Sequence, residues 1–176
     1  MIPVPLNLVL RLFPALLALL LGAGCAGYRL GPSNGQSAGA RSIEVKPFID
    51  RTFEPRLLEP VASALRKSIQ RDGTFRLATS NPGDVVVSGT LTQYLREPLT
   101  LQPNDVFSTR DYEVRLTAHI VAIDRSSGQT LIDRDVIART TIRSVPDLNS
   151  AERQAAPLIA DDLARIVTAL LVDGNW

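Results

Sequence analysis

The chain of 176 residues holds one histidine, His119, and one cysteine, Cys25. With one of each, neither a structural zinc site nor an internal disulfide can be built within a single chain. His119 sits at a polar position of an alternating stretch with no Ser or Cys motif beside it, and reads as a surface residue rather than a base. Two acidic pairs, Asp133 with Asp135 and Asp161 with Asp162, could share a proton if they were buried together. Nothing in the sequence raises the pKa of either pair, so they read as solvated carboxylates. The chain has no phosphate-cradling glycine loop, no GxSxG elbow and no HExxH. The expectation is a non-enzymatic protein without a cofactor, whose working surface is one that binds.

Cys25 carries the most chemistry. It follows Leu12–Ala23, an apolar run of about a dozen residues behind Arg11, too short for the ~20 residues of a membrane-spanning helix and matched to the hydrophobic region of an export signal. Small residues at Gly22, Ala23 and Gly24 let the strand approach a peptidase closely, and the freed thiol of Cys25 can take a diacylglyceryl group. The order Leu21-Gly22-Ala23-Gly24-Cys25 resembles the lipobox of bacterial lipoproteins, with the leucine one place early. An unpaired thiol is uncommon in an exported protein, which also points to lipidation. Ala26, where an aspartate would retain a lipoprotein at the inner membrane, implies the outer membrane, periplasmic side.

Removing residues 1–24 changes the composition. Arg11 is their only charged side chain, so 18 basic and 18 acidic residues remain and the formal charge of +1 becomes zero. A neutral chain offers no field for capturing nucleic acid. The remainder suits one ordinary domain. Residues 25–41 contain Gly31-Pro32-Ser33-Asn34-Gly35, small and polar without a period, and read as a tether; residues 42–176 form the domain.

The elements that must position any surface follow from periodicity. Ile43–Phe48 alternates apolar and polar as a half-buried strand that lies at an edge or ends at Pro47. Leu58, Val61, Leu65 and Ile69 mark one face of a helix that begins near Glu59 and stops at Asp72-Gly73. Phe75–Thr79 is a short strand. Asp84–Arg96 is a longer one with Val85, Val87, Leu91 and Leu95 on one face and Ser88, Thr90, Thr92 and Tyr94 on the other; Gly89 interrupts the first face, as at a bulge or a close backbone approach. Glu97–Arg110, with Pro98 and Pro103, reads as a long loop. Tyr112–Asp124 and Thr130–Ile142 form a hairpin around Arg125–Gln129. Asn149 and Glu152 form a capping box for a last helix with the stripe Leu163, Ile166, Val167, Leu170 and Leu171, and Pro157 kinks it or marks its regular start. Each helix has one apolar stripe and must lie on a sheet. The fold class is α+β: a two-layer sandwich, mostly antiparallel, of four to five strands with two helices on one face.

Several segments taken in order resemble the LptE family of outer-membrane lipopolysaccharide-assembly lipoproteins. These are Cys25-Ala26-Gly27-Tyr28-Arg29-Leu30, Ile43–Phe48 with Thr52-Phe53-Glu54-Pro55, Gln70–Leu77, Asp84–Leu91, Tyr112-Glu113-Val114 and the closing helix. Ala26 is an insertion relative to the commonest form. The resemblance implies a partner and plug of the β-barrel LptD that supports barrel assembly and binds lipopolysaccharide. Thr90, Thr92, Tyr94, Arg115, Thr117 and His119 would then face partner or water. It further implies lipopolysaccharide-binding basic residues near the loop before Tyr112 and before the last helix, where this chain offers Arg96, Arg110 and Arg143. Similar strand and turn patterns also occur in activators of penicillin-binding proteins and in subunits of curli-type secretion channels, which stand as alternatives.

Overall fold

Pro47 interrupts the first strand of the domain, which lies inside the sheet and not at its edge. β1 (Arg41–Val45) ends just before it, and β2 (Ile49–Asp50) resumes just after it. Both pair in parallel with the same strand, β4 (Val85–Gln102): Ile43 opposes Val85, Val45 opposes Val87, and Ile49 opposes Thr90. The two pieces are one strand broken where proline has no N–H to give. Between them Phe48 turns inward and is buried. Its ring occupies the space over Gly89, where a Cβ would lie 2.2 Å from Phe48 Cε1. Of the two readings of Gly89, the close approach is the one observed, and an aromatic ring fills the place of the missing side chain.

The computed structural model describes residues 38–102, 105–143 and 148–174. After β2 a 3-10 turn (Pro55–Leu57) leads into α1 (Leu58–Asp72), which buries Val61, Leu65 and Ile69 and accepts Pro60 in its first turn. Gly73, at φ 77°, ends α1 and donates its N–H to the Ile69 carbonyl at 3.2 Å. β3 (Phe75–Leu77), β5 (Asp105–Asp124), β6 (Thr130–Arg143) and α2 (Leu148–Asp173) complete the order. The sheet runs β3-β1-β4-β5-β6 with β2 also on β4, six strands in all. β1 is parallel to β3 and β4, and the long β4-β5-β6 meander is antiparallel. The α+β sandwich is as expected, with slightly more strands.

Both helices cover one face. Val85, Val87, Leu91, Val114, Leu116, Ala118, Ile120 and Ala122 are completely buried there, against Ile159, Leu163 and Leu171 of α2 and Leu65 and Ile69 of α1. The helices are joined where the Thr168 hydroxyl donates to Ser68 Oγ at 2.8 Å. α2 passes through Pro157, which is on its exposed side, where a lost intrahelical hydrogen bond is least costly. α2 begins at Leu148, so Asn149 lies in its first turn rather than before it; the side chains of Asn149 and Glu152 are outside the described residues.

Two readings are corrected. Glu97–Arg110 is not a loop: β4 continues to Gln102 and β5 starts at Asp105, making a long hairpin extension. Pro98 is tolerated because the ladder is irregular there, with register steps between Pro98 and Thr100 and again to Leu101 and Gln102. The faces of β4 also change partway along. Leu91 opposes Ala118 but Gln93 opposes Thr117, so Thr92 is an extra residue whose hydroxyl donates to the Thr117 carbonyl at 3.1 Å. Because side chains alternate with period two, one inserted residue inverts everything after it. Tyr94 therefore turns to the core side and packs against the core, while Leu95 is on the open face, 39% exposed.

The start of β1 is clasped to the ends of β4 and β5. Ser42 donates its N–H and its hydroxyl to Asp84 Oδ2 at 2.7 and 2.8 Å, which holds the Asp84 carboxyl below the usual carboxylate range. Asp124 is lowered further by the Ser126 hydroxyl and the Ser127 and Ser126 N–H groups, and it also pairs with Arg41.

Candidate functional site

The face of the sheet away from the helices is polar and open. Its rows follow from the register: Thr90, His119 and Asp135; Gln93, Thr117 and Ile137; Leu95, Arg115 and Arg139; Glu97, Glu113 and Thr141. Directly opposed residues on one face lie close enough for their side chains to interact. His119 bridges two carboxylates of β6, with Nδ1 2.9 Å from Asp135 Oδ1 and Nε2 3.2 Å from Asp133 Oδ1. Arg115 pairs with Glu97 at 2.7 Å and with Glu113, whose hydrogen bond raises the guanidinium pKa. Arg143 pairs with Asp111 at 3.4 Å, and Asp111 also accepts from the Thr100 hydroxyl at 2.6 Å.

This arrangement suits binding better than reaction. Both ring nitrogens of His119 lie within reach of carboxylates, which leaves neither free to activate the Thr90 hydroxyl opposite it. Among the described residues no group of three or more His, Cys, Asp or Glu side chains is arranged to hold a metal ion. The pairs are largely solvent-exposed, so they contribute little to stability and leave charge and hydrogen-bonding groups displayed on the open face.

Of the three arginines singled out from sequence, Arg96 and Arg143 do not converge. Arg96 opposes Val114, and Arg143 opposes Asp111, so the two point to opposite faces of the sheet. Arg96 lies over the Tyr94 ring, 5.8 Å from its centroid, and 3.5 Å from Glu54. The side chain of Arg110 is outside the described residues, as is all of Cys25. Of the six residues expected on the polar face, Thr90, Arg115, Thr117 and His119 are there; Tyr94 is not, and Thr92 is the bulge.

Two features were missed from sequence. Arg139 lies on the open face beside exposed Ile137 and directly opposite Arg115; its backbone N–H donates to Asp162 Oδ2 at 3.1 Å, and its guanidinium has no ion-pair partner among the described residues. Its sequence signal was present, since it shares the alternation of Asp133, Asp135 and Ile137. The second is Phe53, 95% exposed and the one non-glycine residue at positive φ (63°) among the described residues. A rigid turn holds it there: Asp50 Oδ1 accepts from the Thr52 N–H at 2.7 Å and from its hydroxyl, and Thr52 Oγ1 accepts from the Glu54 N–H at 3.2 Å. An aromatic residue in this conformation costs on the order of 1 kcal/mol or more and buries almost nothing in return. Phe53→Gly is therefore expected to raise stability by about 1 kcal/mol in urea unfolding; a loss would show that the ring packs somewhere in the domain.

No helix among the described residues is long and apolar enough to cross a membrane. A family model described as LptE, lipopolysaccharide-assembly, matches residues 40–171. No curated protein sequence matches the chain. Solved structures do match. Protein XCC0632 from Xanthomonas campestris is 9% identical with a TM-score of 0.58, covering 82% of this chain and 91% of its own. The hypothetical protein CT253 from Chlamydia trachomatis is 9% identical with a TM-score of 0.57, covering 78% and 98%. Rare lipoprotein B from Shewanella oneidensis is 12% identical with a TM-score of 0.46, covering 73% and 90%. At these identities the likeness is one of fold.

Proposed function

Because the chain belongs to the LptE family of lipopolysaccharide-assembly proteins, we propose that it is a lipid-anchored, non-enzymatic partner of the β-barrel LptD at the periplasmic side of the outer membrane. In this role it fills the barrel as a plug, supports barrel assembly and helps deliver lipopolysaccharide to the outer leaflet. The observation that carries the reading is the family match, which runs from the start of β1 almost to the end of α2 and so takes in the whole sheet and both helices.

The physical character of the domain supports it. A barrel lumen is polar and wet, and the open sheet face offers side chains of that kind: hydroxyls at Thr90, Thr117 and Thr141, and charges already paired within the face. Ion pairs that are internally closed, as those of Arg115 and Arg143 are, can enter such a lumen without stranding their charges. Leu95 and Ile137 supply exposed apolar contact in the same layer. In this reading Cys25 carries the anchor, the residues between it and β1 form the tether, and Arg96, Arg110 and Arg143 remain candidates for lipopolysaccharide phosphates.

Affinity purification of the tagged full chain from envelopes in mild detergent tests the assignment. An outer-membrane β-barrel in stoichiometric amount, accompanied by lipopolysaccharide, is the expected result. Recovery of a bitopic transpeptidase, of a homo-oligomeric ring, or of the chain alone would overturn it.

A further inference from the structure

The concave surfaces of the domain differ in charge. The groove between α1 and α2, about 630 Å³, sets Lys67, Arg71 and Arg165 against Asp72, Asp161 and Asp162 and is neutral. The cleft beside the start of β1 sets Arg41 and Arg125 against Asp84 and Asp124 and is neutral too. A third cleft, about 550 Å³, lies between the end of β1, α1 and the β3-β4 connection. It contains Lys46, Arg66 and Arg125 with one carboxylate, Glu44, for a net charge of +2.

That carboxylate is already engaged. Glu44 Oε2 pairs with Arg125 and accepts the Gly83 N–H at 3.2 Å, while Arg125 Nε donates to the Gly83 carbonyl at 2.8 Å. Lys46 and Arg66 have no carboxylate within ion-pair distance among the described residues. Facing them is Thr79-Ser80-Asn81, three consecutive exposed side chains that can donate hydrogen bonds. The segment carrying them is fixed at both ends. The Ala78 N–H donates to the Ile43 carbonyl at 2.8 Å, and Gly83 lies directly on β1, where a Cβ would be 2.5 Å from the Glu44 nitrogen. A backbone segment fixed at its ends before a ligand arrives has less left to order on binding it.

From this juxtaposition we infer that the cleft is an anion site for a phosphate group, held by Lys46 and Arg66 with the Thr79-Ser80-Asn81 donors. A guanidinium fork and an ammonium with neutral donors between them match the three oxygens of a phosphate monoester. The site is separate from Arg96, Arg110 and Arg143 and does not depend on the barrel partnership. The phosphate can belong to a sugar or be free, and the cleft chemistry is the same for both.

The test uses the full chain in neutral detergent and titrates it with inorganic phosphate by calorimetry at low salt. Saturable one-site binding is expected, weakened about tenfold in Lys46→Gln/Arg66→Gln and severalfold in Lys46→Gln alone, which changes only an exposed side chain at a strand end. Lys67→Gln/Arg71→Gln removes the same charge from the neutral groove and is expected to leave the affinity within about twofold. Equal loss in the two double variants, or no saturable binding by the parent, overturns the proposal. Competition by a phosphorylated disaccharide and not by its dephosphorylated form identifies a sugar phosphate as the ligand; competition by neither identifies free phosphate.

Discussion

Gly89→Val is expected to destabilise the domain by ~3 kcal/mol and to lower its melting temperature by ~10 °C, the upper end of what overpacking costs. Gly89 is on the buried face of β4, between Val87 and Leu91, and a Cβ there would stand 2.2 to 2.8 Å from three atoms of the Phe48 ring. The ring cannot swing away cheaply, because Pro47 before it and the β2 pairing after it fix the backbone on both sides. The same geometry makes the two positions interdependent. Phe48→Ala alone empties the space and costs ~3 to 5 kcal/mol, whereas valine at residue 89 in that background refills part of it. A double-mutant cycle in urea is therefore expected to show a compensating coupling of more than ~1 kcal/mol. Strictly additive losses would mean that the ring is not the neighbour that excludes a side chain at Gly89.

The second large effect concerns attachment. Cys25→Ala is expected to move the protein from the membrane fraction to the soluble fraction, and the parent is expected to carry an acyl-glyceryl mass on Cys25 that the variant lacks. One acyl chain holds a protein marginally, but each buried CH₂ adds ~0.8 kcal/mol, so two or more chains make the partition effectively complete. Intact-mass spectrometry together with fractionation reads both outcomes. A variant that still fractionates with membranes would show that the domain, through a barrel or another surface, supplies the attachment by itself.

Sequence periodicity carried the fold well where one residue type decided the local physics. Pro47 ended a strand, Gly73 capped a helix and Val114–Ala122 alternated without interruption. It failed where an alternation changed phase. Nothing in Ser88-Gly89-Thr90-Leu91-Thr92-Gln93 announces that Thr92 will be the extra residue, because threonine fits either face of a strand equally well. Every face assignment beyond it was inverted, including those of Tyr94 and Leu95. The Glu97–Arg110 error has a different source: two prolines are evidence against an interior strand but not against one whose ladder is stepped. Site residues were legible as types and not as a constellation. That Arg96 and Arg143 diverge depends on the bulge at Thr92, and that Lys46 and Arg66 share a cleft depends on a crossover connection, and neither follows from residue spacing.

β1 has a mechanical consequence. A strand at the rim of a sheet can be peeled off one hydrogen bond at a time, but β1 has β3 on one side and β4 on the other. Any tension arriving through the segment before Arg41 therefore loads two ladders at once. It meets the Ser42–Asp84 and Arg41–Asp124 clasps together with the first rungs to β3, at Phe75 and Arg76, before it reaches the ladder to β4 at Val85. The chain enters the domain through an interior strand whose first residues are fastened by side chains as well as by backbone, so a pull from the N-terminal side is spread over β3, β4 and β5 instead of unravelling an edge.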